Sequence, residues 1–175
     1  LTNHSTGKMG YAIARMAMLR GAQVTLVSGP TSIAPPPFVD VVPVVSAQDM
    51  FEAVSQRAEE SDIIVKAAAV ADYTPVGYSD DKVKKREGDL SIPLKRTQDI
   101  LKHLGEHRRP DQIICGFSME TRDMVENSRR KLEKKHLDLI AANNLKEPGA
   151  GFAVPTNLLT LISPREELEL PLLTK

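Results

Sequence analysis

Several groups of residues in this chain have the types and spacing to act on an anionic ligand. Ser5-Thr6-Gly7-Lys8-Met9-Gly10 places small residues where an apolar-periodic run begins. There, backbone N–H groups can meet an anion at the positive end of a helix dipole. An ordinary helix cap explains Ser5 and Gly7 equally well. The segment is not a P-loop, because Thr2 stands where that motif needs its first glycine. Two basic clusters follow: Lys82, Lys84, Lys85 and Arg86, then Arg129, Arg130, Lys131, Lys134 and Lys135. The first reads as a cationic strap that supplies countercharge to a polyphosphate and excludes water. The second reads as a solvated helix face, with Lys131 and Lys135 four apart and so on one side of it.

Asp72 follows Ala69-Val70-Ala71 at the ligand edge of a strand, placed either to hold a ribose hydroxyl or a metal, or simply to form a turn. His4, His103, His107 and His136 have no metal-ligand spacing and read as surface or capping residues. Tyr78 and Lys82 match the Tyr-x-x-x-Lys pair of short-chain dehydrogenases, but they lie in a Pro/Gly-containing loop where that chemistry needs a helix. Ser28-Gly29 also stands where an acidic residue would hold the ribose of NAD. An NAD(P)-binding enzyme of that kind, or a non-catalytic nucleotide-binding domain, is the alternative reading.

The elements that must position these residues follow from periodicity. Met9, Ile13, Met16 and Ala17 predict a helix from Gly7 to Arg20, and Met50, Phe51, Val54 and Ala58 predict a second. Strands are expected at Val24 to Val27, Val39 to Val45, Asp62 to Val65, Leu90 to Leu94, Ile113 to Phe117, Leu137 to Ile140 and Asn157 to Ile162. A short helix from Asp99 to Leu104 and a charged one from Arg122 to Lys135 complete the set, with a loop from Tyr73 to Gly88. Short aliphatic strands alternating with helices predict an α/β fold: a Rossmann-like, doubly wound, mostly parallel sheet with helices on both faces. Ligands of such sheets sit beyond the carboxyl ends of the strands.

Composition narrows the classes. The chain has 175 residues, one domain's worth, with 23 Lys+Arg against 23 Asp+Glu. Zero net charge argues against coating nucleic acid or an anionic membrane, and 4% aromatics without Trp argue against base-stacking platforms. Cys115 cannot pair within the chain and reads as a small core residue, which suggests a reducing, cytoplasmic setting. No apolar run approaches the roughly 20 residues that span a bilayer. The chain starts at Leu1, close to a helix start, which suggests a fragment.

Taken together, Thr2-Asn3-His4-Ser5-Thr6-Gly7-Lys8-Met9-Gly10, Ala68-Ala69-Val70-Ala71-Asp72-Tyr73, Lys82-Val83-Lys84-Lys85, Gly116-Phe117-x-x-Glu120-Thr121 and Leu137-Asp138-x-Ile140-x-Ala142-Asn143 resemble the phosphopantothenoylcysteine synthetase family of bacterial type. The resemblance implies a homodimeric ligase of coenzyme A biosynthesis that joins L-cysteine to 4′-phosphopantothenate through an acyl-cytidylate made from CTP with Mg²⁺. It implies a parent chain with an N-terminal flavin-dependent decarboxylase domain, and no FMN in this one. By this resemblance Asn3 and Lys82 are catalytic, and Ala67, Ala68, Asp72, Lys82, Phe117, Lys131 and Lys135 contact CTP. Ser5, Gly7 and Gly10 are assigned to substrate or phosphate, Asp72 to a metal, and Asn143 to a supporting position. Arg96-Thr97-Gln98-Asp99-Ile100 departs from the family's Lys-Asn-Pro-Asp-Ile. The family also implies a single domain over 1–175 that lacks its first strand and last helix.

Overall fold

The computed structural model describes residues 5–77, 81, 88, 91–120, 123–144 and 155–175. It begins with α1 (Lys8–Leu19), whose N-cap Gly7 sits at φ 79 without a side-chain cap hydrogen bond. The capping reading holds for Gly7, which is the N-cap, but not for Ser5, and the Thr6 hydroxyl accepts from the Lys8 N–H at 3.4 Å. The left-handed turn that starts this helix is one that glycine adopts without steric cost.

The chain then forms β1 (Thr25–Ser28), β2 (Asp40–Pro43), α2 (Ala47–Ala58), β3 (Ile63–Lys66), β4 (Tyr73–Pro75), β5 (Leu94–Arg96) and α3 (Ile100–Glu106). It continues through β6 (Ile113–Glu120), α4 (Met124–Lys134), β7 (Leu139–Asn144), β8 (Thr156–Asn157), β9 (Leu159–Ile162), β10 (Glu167–Glu169) and β11 (Leu173–Thr174). α2 starts earlier than its apolar spacing suggests because Ser46 and Asp49 form a reciprocal capping box.

A five-stranded sheet of order β10-β9-β7-β6-β3 lies at the centre. β3, β6 and β7 run parallel, while β9 and β10 join antiparallel. The fold is therefore the mixed α/β class with a mostly parallel central sheet, with α1 to α4 among the described residues. Ile114, Ile140, Ala142 and Ile162 project from one sheet face into a core shared with Ile100, Leu101 and Leu104 of α3 and Leu132 of α4, and α2 adds Met50, Phe51 and Val54. Two backbone approaches make that packing possible. A Cβ at Gly116 would lie 2.9 Å from Leu101 Cδ1, and one at Gly105 would lie 1.9 Å from the Lys135 carbonyl oxygen.

Two expectations shift. The strand expected at Leu90 to Leu94 lies later, at Leu94–Arg96, because it pairs antiparallel with Tyr73–Pro75, which the sequence pattern assigns to a loop. The Arg96 guanidinium stacks over the Tyr73 ring, 5.9 Å from its centroid. The strand expected from Leu137 starts at Leu139, because Leu137 still closes α4 through its N–H to the Leu132 carbonyl.

β1 pairs with β2, and β3 is the terminal strand of the central sheet. Both strands line one cleft of about 530 Å³, and no other described strand pairs with their facing edges. Ile63 and Val65 are consequently 62% and 38% exposed, unusual for aliphatic residues on a parallel strand. The total surface is 12341 Å², against roughly 8,000 Å² for a compact monomer of this mass.

Candidate functional site

The cleft runs along β1 and β3, from Ala58 and Ser61 before β3 to Ala67–Ala71 beyond its carboxyl end, and that last part lies where the fold class places its ligands. Ser5, Gly7, Gly10, Ala67 and Ala68 all line it. α1 comes close because its turn facing the strand end carries glycine: a Cβ built on Gly10 would sit 3.8 Å from the Ala67 Cβ. Tyr11 anchors the helix to β1 through a 3.0 Å hydrogen bond between its hydroxyl and Ser28 Oγ. Gly7 offers no side-chain cap and Thr6 Oγ1 accepts from the Lys8 N–H at 3.4 Å, and the helix start keeps its positive dipole end towards the cleft.

The segment after β3 is held from outside. Thr97 Oγ1 donates to the Ala71 carbonyl at 2.7 Å and Thr97 N–H to the Asp72 carbonyl at 3.0 Å. This ties the small-residue stretch to β5 and fixes the backbone around Asp72. The departure from the family pattern at Arg96-Thr97-Gln98 therefore has a structural use, since a threonine hydroxyl makes the tie.

A cationic wall stands beside this segment. Lys131 Nζ donates to Ser118 Oγ at 3.1 Å and pairs with Glu120, at the carboxyl end of β6. Lys135, the C-cap of α4, pairs with Asp99 at 2.9 Å. Burial would raise the Asp99 carboxyl, but hydrogen bonds from Lys135 and from the Lys102 amide outweigh it and hold the group below its ordinary 3.8. Asp99 is also the N-cap of α3, so one carboxylate both starts a helix and orients a lysine.

Lys66 completes the wall from β3. Burial, then Lys135, push its ammonium below the ordinary 10.5, while Asp99 and Asp72 pull the other way and Lys131 adds a weaker repulsion.

The structure therefore gathers Ser5, Gly7, Gly10, Ala67 and Ala68 at the cleft, and Lys131 and Lys135 in the wall beside it. Asp72 is linked to the wall through its charge on Lys66. Phe117 does not line the cleft; it stands in β6 opposite Ala141. Asn143 is buried on β7 with its Oδ1 unpaired. Asn3 and Lys82 lie outside the described residues, as does Tyr78. Lys66 and Ser118 carry no motif signal, and the motif stretches that contain Thr97, Asp99 and Glu120 do not by themselves assign those residues to the site. The available signal was a lysine ending an otherwise apolar strand, Ile63-Ile64-Val65-Lys66. Cys115 is the core residue expected, its thiol pushed up to about 11 by burial. No helix among the described residues is long and apolar enough to cross a membrane.

A helix start, a constrained small-residue turn and a lysine wall thus meet at the ends of parallel strands in an α/β protein. The chain belongs to the family described as DNA/pantothenate metabolism flavoprotein C-terminal domain, whose model matches residues 1–175. It is 49% identical over 176 residues to the coenzyme A biosynthesis bifunctional protein CoaBC of Bacillus subtilis, covering 99% of this chain and 43% of that protein. The crystal structure of the C-terminal domain of a CoaBC protein superposes with a TM-score of 0.82 at 43% identity, covering 99% of this chain and 78% of that one. A structure of a Cab2 variant in complex with phosphopantothenate-cysteine has the same fold, with a TM-score of 0.77 at 16% identity and coverage of 97% and 73%.

Proposed function

We propose that this chain is the phosphopantothenate–cysteine ligase unit of a coenzyme A biosynthesis protein. The observation that carries the reading is the lysine wall at the carboxyl ends of β3 and β6, in a chain of this family. The first step forms a bond between a carboxylate oxygen of 4′-phosphopantothenate and the α-phosphorus of CTP, while the α–β anhydride bond breaks and pyrophosphate leaves. In the second, the cysteine amine attacks the acyl carbon, the bond to CMP breaks, and the amine loses a proton as the amide forms.

Both steps gather negative charge, first at phosphorus and then on a tetrahedral oxygen, and fixed donors stabilise such charge best in a partly dry site. Lys131 and Lys135 serve the phosphates, the Gly7 to Gly10 turn offers amide donors, and the Ala67–Ala68 backbone faces the nucleotide. Phe117 is assigned to a further CTP contact, Asn3 to the acyl-nucleotide and Lys82 to a strap, by the family resemblance. Among the described residues no cluster of three or more His, Cys, Asp or Glu forms a metal cage. The donor set fits Mg²⁺ held by the phosphates with Asp72 as a single carboxylate ligand, where the ion would add positive charge at the phosphate oxygens.

The unit is further read as the greater part of one cytoplasmic ligase domain that pairs as a homodimer, with a decarboxylase domain in the same parent chain. A parallel strand supplied by chain outside these residues would fill the cleft between β1 and β3 and lead into α1. The support is that β1 and β3 are parallel-sheet strands whose facing edges have no described partner.

The test is a pyrophosphate assay on the intact parent protein. With phosphopantothenate, CTP and Mg²⁺ but no cysteine, it releases close to one pyrophosphate per site, and ATP substitutes poorly. Absence of nucleotide-dependent pyrophosphate release contradicts the assignment.

A further inference from the structure

Lys66 closes β3, in register with Gly116 of β6. Side chains alternate along a strand, so Lys66 shares a sheet face with Ile64, which packs against the core under α3 and α4. The ammonium therefore rises from the floor of the sheet towards Asp99, Lys131 and Lys135, and the residue also lines the cleft.

Its two neighbouring lysines are already matched. Lys131 has Ser118 and Glu120, and Lys135 has Asp99. The Lys66 ammonium makes neither a hydrogen bond nor an ion pair with any described residue, although two carboxylates and two ammonium groups act on it at longer range. A partly buried charge without a partner is costly, and folded proteins retain one mainly where a ligand supplies the missing acceptor. The chemistry required of that acceptor is a compact anionic oxygen. A phosphate qualifies, since it also tolerates the positive field of Lys131 and Lys135.

We infer that the Lys66 ammonium donates directly to a phosphate oxygen of the bound nucleoside triphosphate and so sets the preference of this site for triphosphate over nucleoside. This rests on the nucleotide reading above and adds a residue that the motif pattern does not single out. Asp99 gains a second purpose: by engaging Lys135 it orients that ammonium beside the same phosphates.

The experiment measures binding of CTP and of cytidine to the intact parent protein by calorimetry and NMR, for the native protein and for Lys66→Met and Lys66→Arg. A charged hydrogen bond lost to methionine weakens CTP binding by about 10-fold or more, while cytidine affinity changes less than about twofold. Arginine, which keeps the charge, retains most of the CTP affinity. An unchanged thermal midpoint for Lys66→Met certifies its fold; if that variant unfolds, Lys66→Arg against Lys66→Gln provides the same contrast. Equal losses for CTP and cytidine, or no loss for either, overturn the inference. A native protein that binds no CTP instead overturns the nucleotide reading itself.

Discussion

The central sheet and the region between its terminal strand β3 and the separate β1–β2 pair are built to different standards. Around β6, β7 and β9 the interior is closed: Ile114, Ile140 and Ile162 are fully or almost fully buried under α3 and α4. Asp138 there satisfies the Ile114 N–H at 2.7 Å and Arg108 at 2.9 Å. Around β1 and β3 the aliphatic side chains stand in an open cleft, and a lysine ends the strand. Burial is thus concentrated on one side, and the candidate site lies on the other. The seam between them is β3, whose Ile64 belongs to the core while Lys66, on the same face, belongs to the site.

That contrast can be broken by paired substitutions. Ile140→Ala removes a side chain that is 2% exposed and should cost about 2–5 kcal/mol of unfolding free energy in denaturant titration. Ile63→Ala, at 62% exposure, should stay within about 0.5 kcal/mol in the 175-residue chain. The parent protein sharpens the comparison. If a strand fills the cleft there, Ile63→Ala becomes costly, by about 2 kcal/mol or more, as for other buried isoleucines. An equally small cost in both contexts would remove the support for that strand.

A smaller effect concerns acid. The Asp99 carboxyl lies below its ordinary 3.8 in the folded protein, so its contribution to stability is complete above 3.8 and disappears as pH falls through the folded value. Asp99→Asn should flatten the acid limb of the stability profile below pH 3.8, read by thermal melts across pH. An unchanged limb would mean that the Lys135–Asp99 pair orients the lysine without stabilising the fold.

Local pattern made much of this architecture readable. The spacing of Met9, Ile13, Met16 and Ala17 located α1, and the runs ending at Val27, Val65 and Phe117 located the parallel strands that frame the site. Elements fixed by distant partners were less legible. β5 is placed by pairing with Tyr73–Pro75, and β10, Glu167–Glu169, is a polar edge strand whose only signal is its register against β9. The site divides in the same way. Gly7, Gly10 and Lys131 stand out by type and spacing. Lys66 and Asp99 matter because of their depth and neighbours, and neither quantity is written in spacing. The even count of acidic and basic residues conceals this arrangement, because Glu120 and Asp99 pair with the lysines of the wall.

Hydrogen–deuterium exchange on the parent protein with and without CTP tests most directly whether the rim beyond the carboxyl ends of β3 and β6 is the nucleotide site. Slowed exchange is expected at residues 7–10, 67–72 and 97–102, with β7 and β9 unchanged. Binding of CTP with protection confined to β7 and β9, and none beside the cleft, would contradict it.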